Sequence, residues 1–148
     1  MQPITQFSAE SSPSQKSETH TRRLFFRGND TGIVIEGERV SLQFSVGDQF
    51  LVATDYDYYD GSSNWFYLLS KEMKVLDRVS TPDYFGFIQD LELIDERGAQ
   101  FGFFGASAKW ELSVLPQPIR SYSLHHIRRR TGLYIFYRRY LKLTNIAT

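Results

Sequence analysis

Six consecutive residues, Asp55-Tyr56-Asp57-Tyr58-Tyr59-Asp60, interleave three carboxylates with three phenols, and Trp65 and Tyr67 follow closely. Tyrosine supplies large contact area at low entropic cost, and a few aromatic anchors usually carry the energy of an interface. Acids among them steer a basic partner. The chemistry this pattern predicts is recognition of another protein, with Asp55, Asp57, Tyr58, Tyr59, Asp60 and Trp65 as the contacts. The same acids do not make a calcium loop. Counting Asp55 as the first position puts Asp60 where glycine is required and Phe66 where a bidentate glutamate belongs.

A second group is basic and aromatic: Arg128-Arg129-Arg130, then Tyr134, Phe136, Tyr137, Arg138, Arg139 and Tyr140. Bases between aromatic rings neutralise phosphates and stack on nucleobases. The alternative is a C-terminal strand whose arginine stems lie over the sheet and whose heads meet acidic loops. All 17 acidic residues lie in positions 1–111, whereas the seven bases after residue 111 have no acid among them. The zero net charge therefore hides opposed halves.

Catalytic signatures are missing. No phosphate-binding Gly-x-x-x-x-Gly-Lys loop or dinucleotide-binding Gly-x-Gly-x-x-Gly turn occurs. Gly105-Ala106-Ser107-Ala108-Lys109 approaches a nucleophile elbow but lacks the final glycine, and reads as a hairpin turn. With no cysteine there is neither a thiolate nucleophile nor a Cys-based zinc site. His125 and His126 are neighbours, so on a strand they point to opposite faces and do not chelate one metal. No cofactor and no metal site is expected, and the chain reads as a non-enzyme.

The elements that must position these residues read as β. The chain has 148 residues, 41% of them hydrophobic and 16% aromatic. That is long enough for one domain to bury a core without a metal or disulfide staple. Residues 1–21, rich in Ser, Thr, Gln and Glu, read as a flexible polar tail in which only Ile4 and Phe7 offer anything to bury. Residues 22–148 read as a single β-rich domain of short runs broken by turn residues. Gly28-Asn29-Asp30, Gly37-Glu38 and Gly47-Asp48 are turns. Along Arg39–Ser45, Val40, Leu42 and Phe44 are expected on one side and Ser41, Gln43 and Ser45 on the other.

Asp55–Asn64 reads as a long loop, with strand character in part of it as the alternative. Phe85–Asp95 reads as an alternating strand with Phe87, Gln89, Leu91 and Leu93 on one face. Phe66–Val79 and Phe101–Val114 read as two similar hairpins, and Pro116-Gln117-Pro118 closes the meander. Toward the C-terminus, Ile119–Arg128 and Leu133–Leu141 are expected to pair, with a short helix over 121–130 as the competing expectation. The predicted architecture is all-β: an antiparallel meander forming a sandwich or a partly closed barrel.

A compact, cysteine-free β domain with DYDYYDGSSNW at 55–65 and a meander over 66–115 resembles the bacterial immunity proteins that neutralise toxins. That resemblance implies a non-catalytic domain that occludes a toxin's active site, with the aspartates mimicking phosphates or pairing with basic residues. Two alternatives stay open. One is a nucleic-acid-binding domain using Arg128, Arg129, Arg130, Arg138 and Arg139. The other is a small-ligand-binding barrel with Trp65, Trp110 and Phe side chains lining a cavity. No apolar run approaches the roughly 20 residues needed to span a bilayer, and nothing reads as a secretory or transit segment, so a cytoplasmic protein without a membrane partner is expected.

Overall fold

The computed structural model describes residues 1–11, 20–59, 61–81, 86–119 and 138–146. Among these the fold is all-β, with every strand pairing antiparallel. The strands are β1 (Gln2–Pro3), β2 (Phe7–Glu10), β3 (Thr21–Phe26), β4 (Asn29–Glu36), β5 (Arg39–Val46), β6 (Gln49–Tyr58), β7 (Gly61–Ser70), β8 (Val75–Ser80), β9 (Ile88–Leu93), β10 (Gly98–Phe103), β11 (Lys109–Ile119) and β12 (Arg139–Ile146). They form three sheets ordered β1-β5-β6-β7-β8, β12-β11-β10-β9 and β2-β3-β4. The sheets stack as layers and do not close into a barrel.

The five-stranded sheet is the middle layer, because apolar residues occupy both its faces. On one side Phe44, Leu51, Ala53, Phe66, Leu68 and Val79 pack against Phe101, Phe103, Trp110, Leu112, Val114 and Leu141 of the four-stranded sheet. On the other, Val52, Tyr67 and Leu69 pack against Phe7, Leu24 and Ile35 of the three-stranded sheet. Successive side chains of a strand point to opposite faces. A strand buried on both faces therefore reads as a continuous buried run, and β6 is buried without interruption from Leu51 to Asp55. The two hairpins that look alike in sequence, β7–β8 and β10–β11, lie in different sheets. Phe66 and Phe101 meet across the sandwich at 5.5 Å between ring centroids.

Polar contacts tie the layers together. The Gln43 carboxamide on β5 accepts from the backbone N–H of Gln6 and Phe7 at 2.7 Å and donates to the Phe7 carbonyl at 3.1 Å, holding β2 in place of a neighbouring strand. The Tyr67 hydroxyl accepts from the Glu36 N–H at 2.8 Å, the Thr54 hydroxyl donates to the Glu36 carbonyl at 2.5 Å, and Arg78 pairs with the Glu36 carboxylate. On the sandwich side, Asp77 of β8 accepts from the backbone N–H of Tyr140 and Leu141 of β12, both at 2.7 Å, so one buried carboxylate joins the two sheets.

Several expectations are corrected. Residues 1–11 are not a free tail: β1 pairs with β5, β2 pairs with β3, and Phe7 is buried against Phe26 and Phe50. Two apolar side chains in a polar stretch were enough, because Gln43 supplies the backbone partners. The alternation along β5 breaks between Val40 and Leu42, so Val40 faces the smaller core while Leu42 and Phe44 face the larger. β9 starts at Ile88 and carries a bulge at Asp90, whose φ is 52°, so Ile88 and Leu91 turn to the core. Pro116 and Pro118 do not end their strand. They sit where the ladder with β12 is interrupted between Val114 and Ile119, where a missing N–H costs nothing. The expected helix over 121–130, and the expected partner strands except their flanks at 119 and 138–141, lie outside the described residues. No helix of the described residues is long and apolar enough to cross a membrane.

Candidate functional site

The Asp55–Asn64 segment is a hairpin rather than a long loop. β6 and β7 stay in register to their tip, pairing Asp55 with Asn64, Tyr56 with Ser63, Asp57 with Ser62 and Tyr58 with Gly61. Strand alternation then divides the predicted contacts. Asp55 and Asp57 share the face that carries Leu51 and Ala53, and Asn64 lies across from Asp55. Tyr56 stands on the opposite face, stacked on His20 at 3.6 Å between centroids.

Arg39, directly across the ladder from Asp55, meets both acids. Its Nε lies 2.7 Å from Asp55 Oδ1 and its Nη2 lies 2.5 Å from Asp57 Oδ2. Asp55 is 3% exposed, so its carboxyl is withdrawn from the surface. Burial pushes its carboxyl above the usual carboxylate range, against the opposing pull of Arg39. The folded state therefore holds this proton to higher pH than the unfolded chain, whose value is about 4. Stability from this group is greatest below about pH 4 and falls as pH rises from there to the raised folded value. Asp55→Asn abolishes that loss. Urea midpoints for the wild type should fall relative to Asp55→Asn as pH rises above about 4, and a difference independent of pH would refute the assignment.

Beside this pair a cleft of about 490 Å³ opens at the hairpin tip. Asp57, Tyr58, Tyr59 and Gly61 form one wall, and Gly86, Phe87, Phe104 and Gly105 form the other. Phe87 and Phe104 stack with centroids 5.1 Å apart and ring planes 14° apart, yet they are 48% and 61% exposed. Tyr59 is fully exposed. The second wall is fixed by backbone contacts. The Phe104 N–H donates to the Phe87 carbonyl at 3.1 Å, and Gly86 approaches so closely that a Cβ there would lie 2.5 Å from the Phe104 carbonyl oxygen. Behind the cleft, buried Asn64 donates to Ser62 Oγ at 3.3 Å and to the Gly86 carbonyl at 3.5 Å, and accepts from the Thr81 N–H through its own carbonyl at 3.0 Å.

Of the six predicted contacts, the structure brings Asp57, Tyr58 and Tyr59 together at the cleft. Asp55 is buried behind them. Trp65 packs against the smaller core on the other face of the sheet, and Asp60 lies outside the described residues. Phe87 and Phe104 were missed: one was read as a strand residue, the other as part of a hairpin end. The signal available was a phenylalanine beside a glycine in each of two connectors, Gly86-Phe87 before β9 and Phe104-Gly105 after β10.

The basic group is also divided. Arg128, Arg129 and Arg130 lie outside the described residues, and Arg138 is exposed. Arg139 is 5% exposed, so it does not present its charge to a phosphate. Burial pushes its guanidinium below the usual range, with Asp77 opposing the shift. The two tryptophans do not line one cavity. Trp110 belongs to the larger core and Trp65 packs on the smaller one, on opposite sides of the middle sheet. The space among Leu42, Leu51, Phe66, Leu91 and Phe101 is about 10 Å³, no more than about one water. Among the described residues, no three metal-ligating side chains come together. No family model, no curated protein and no solved structure matches this chain.

Proposed function

We propose that the chain is a non-catalytic protein-binding domain whose recognition surface is the rim of the cleft at the β6–β7 tip. The observation that carries this reading is the stacked, solvent-exposed pair Phe87–Phe104 facing Tyr59 across that cleft. Exposed aromatic rings held by their own backbone lose little freedom on binding, and such residues anchor interfaces. The acids play a smaller part than their number implies, since Asp55 is buried and Asp57 shares Arg39. The partner therefore presents an apolar ridge rather than a purely basic groove. The partner class we favour is a toxin domain that this chain occludes, following the resemblance to immunity proteins.

Capture of partners by the tagged protein from its native host, with and without nuclease, tests this. We expect a stoichiometric protein that survives nuclease and is toxic when expressed alone. Phe104→Ala should weaken that complex about 30-fold, the loss of one anchor of about 2 kcal/mol. It should leave the unfolding midpoint nearly unchanged, because the ring is mostly in solvent. Retained affinity would overturn the cleft as the binding surface. Material that vanishes with nuclease would favour nucleic acid and the C-terminal arginines.

A further inference from the structure

Among the described residues the sandwich is closed on one side and open on the other. On the closed side β12 lies beside β8 and Asp77 joins them. On the open side β9 is the last strand of its sheet, and among the described residues it pairs with β10 alone. Opposite it, β5 is flanked by a β1 of only two residues, Gln2–Pro3. Leu91 lines the core space yet is 37% exposed, and Leu93, across the ladder from Ala99, is 39% exposed. Ile94 follows at 48%, and a groove of about 570 Å³ runs on from Leu93 and Ile94 past Asp95 and Glu96 to Met1. An edge strand presents unpaired backbone donors and acceptors, a template for one more strand.

We infer that β9 is a docking edge for an extended segment of another protein, one that alternates apolar with basic residues. This surface is separate from the cleft rim and does not rest on it. The apolar residues of the added strand would sit over the open seam beside Leu91 and Leu93, extending the core by one strand. Its alternate residues would stand on the outer face beside Glu92, flanked by Asp90, Asp95 and Glu96, with Arg97 and the Met1 ammonium the cations nearest in sequence or on the groove. Main-chain bonds supply affinity in such strand addition, and side chains supply specificity.

The same charges argue against a second copy of this chain. Antiparallel pairing of β9 with itself sets Asp90 against Glu92, or each against itself, or an acid against Leu91, and like charges directly opposite are destabilising. The bulge at Asp90 re-aims the edge there, so the docking ladder runs from Leu91 into the groove.

The probe is a fluorescein-labelled peptide of about eight residues that alternates Lys and Val, with a control of the same composition in two blocks, titrated into the full chain by anisotropy. We expect saturable binding of the alternating peptide, at least about fivefold tighter than the block peptide, and slowed amide exchange at Leu93, whose N–H points to the free edge while that of Ile94 already donates to Gly98. Glu92→Lys, an exposed change that should leave the circular dichroism intact, is expected to weaken binding about tenfold by reversing the cross-strand pair. Phe104→Ala should not alter it, which separates this edge from the cleft. No saturable binding, equal binding of the block peptide, or undiminished binding by Glu92→Lys would overturn the inference. So would a wild-type dimer in sedimentation with β9 protected, which would make a second copy the occupant.

Discussion

Asp77→Ala is expected to cost about 4 kcal/mol of stability, read as a fall in the urea midpoint at unchanged slope. The carboxylate is 2% exposed and accepts from the backbone N–H of Arg78, Tyr140 and Leu141 at 2.7–2.8 Å. Each buried donor left without an acceptor costs about 1–3 kcal/mol. The same change withdraws the negative charge that offsets the burial of Arg139, whose Nε and Nη2 have no hydrogen-bond partner among the described residues. Asp77→Asn keeps an oxygen for two of the N–H groups but no charge, and should cost about half as much. A loss under about 1 kcal/mol for Asp77→Ala would show that β12 is held to β8 by packing alone.

Gly37→Ala is expected to cost about 3 kcal/mol. The residue turns the chain between β4 and β5 with a φ of +97°, a conformation that L side chains rarely adopt. Its N–H donates to the His20 carbonyl at 2.8 Å, so the turn cannot simply relax. A Cβ would also meet the Asp55 carbonyl oxygen at 2.8 Å and the Asp55 nitrogen at 3.1 Å. Gly28→Ala is the control. It has a φ of +79° with nothing within 4 Å of its Cβ position, so it carries conformational strain alone, about 1 kcal/mol. The excess of the first over the second measures the clash with the hairpin that bears Asp55. Equal losses would mean that the turn moves away from β6.

The strands were legible wherever turn residues punctuated them. Gly37-Glu38 and Gly47-Asp48 do join β4 to β5 and β5 to β6, since glycine there supplies the positive φ. The layering was not legible. A strand in the middle layer has no solvent face, so β6 carries no alternation that would distinguish a loop from a strand at Asp55–Tyr58. Composition misassigned residues 1–11 for a related reason. The partner that orders Gln6 and Phe7 is the Gln43 side chain, 36 to 37 positions away, and local polarity cannot register it.

Which of the predicted contacts stay at the surface was not legible in the sequence. Tyr59 and Asp57 are exposed beside the cleft, whereas Asp55 is buried and Trp65 packs on the smaller core. The reason is parity: neighbouring residues of a strand go to opposite faces, and Asp55 falls on the side covered by the larger core. Phe87 and Phe104 escaped because their meeting depends on two connectors brought together by the four-stranded sheet.

The doubly buried middle sheet has one more consequence, for strand alignment. Where only one face is apolar, slipping a strand by one residue throws its hydrophobic side chains into water, and that penalty holds the register. Between Leu51 and Ala53 of β6 a slip merely exchanges one oily neighbour for another. What cannot be exchanged are the polar residues at the end of the same strand: Thr54, which reaches Glu36, and Asp55, which reaches Arg39. Moved one place, each would face the wrong layer without its partner. These residues act as a key that admits a single setting of the hairpin. The carboxylate that looked poised to meet another molecule thus serves to index β6 against β5, and so places Asp57 and Tyr59 at the rim.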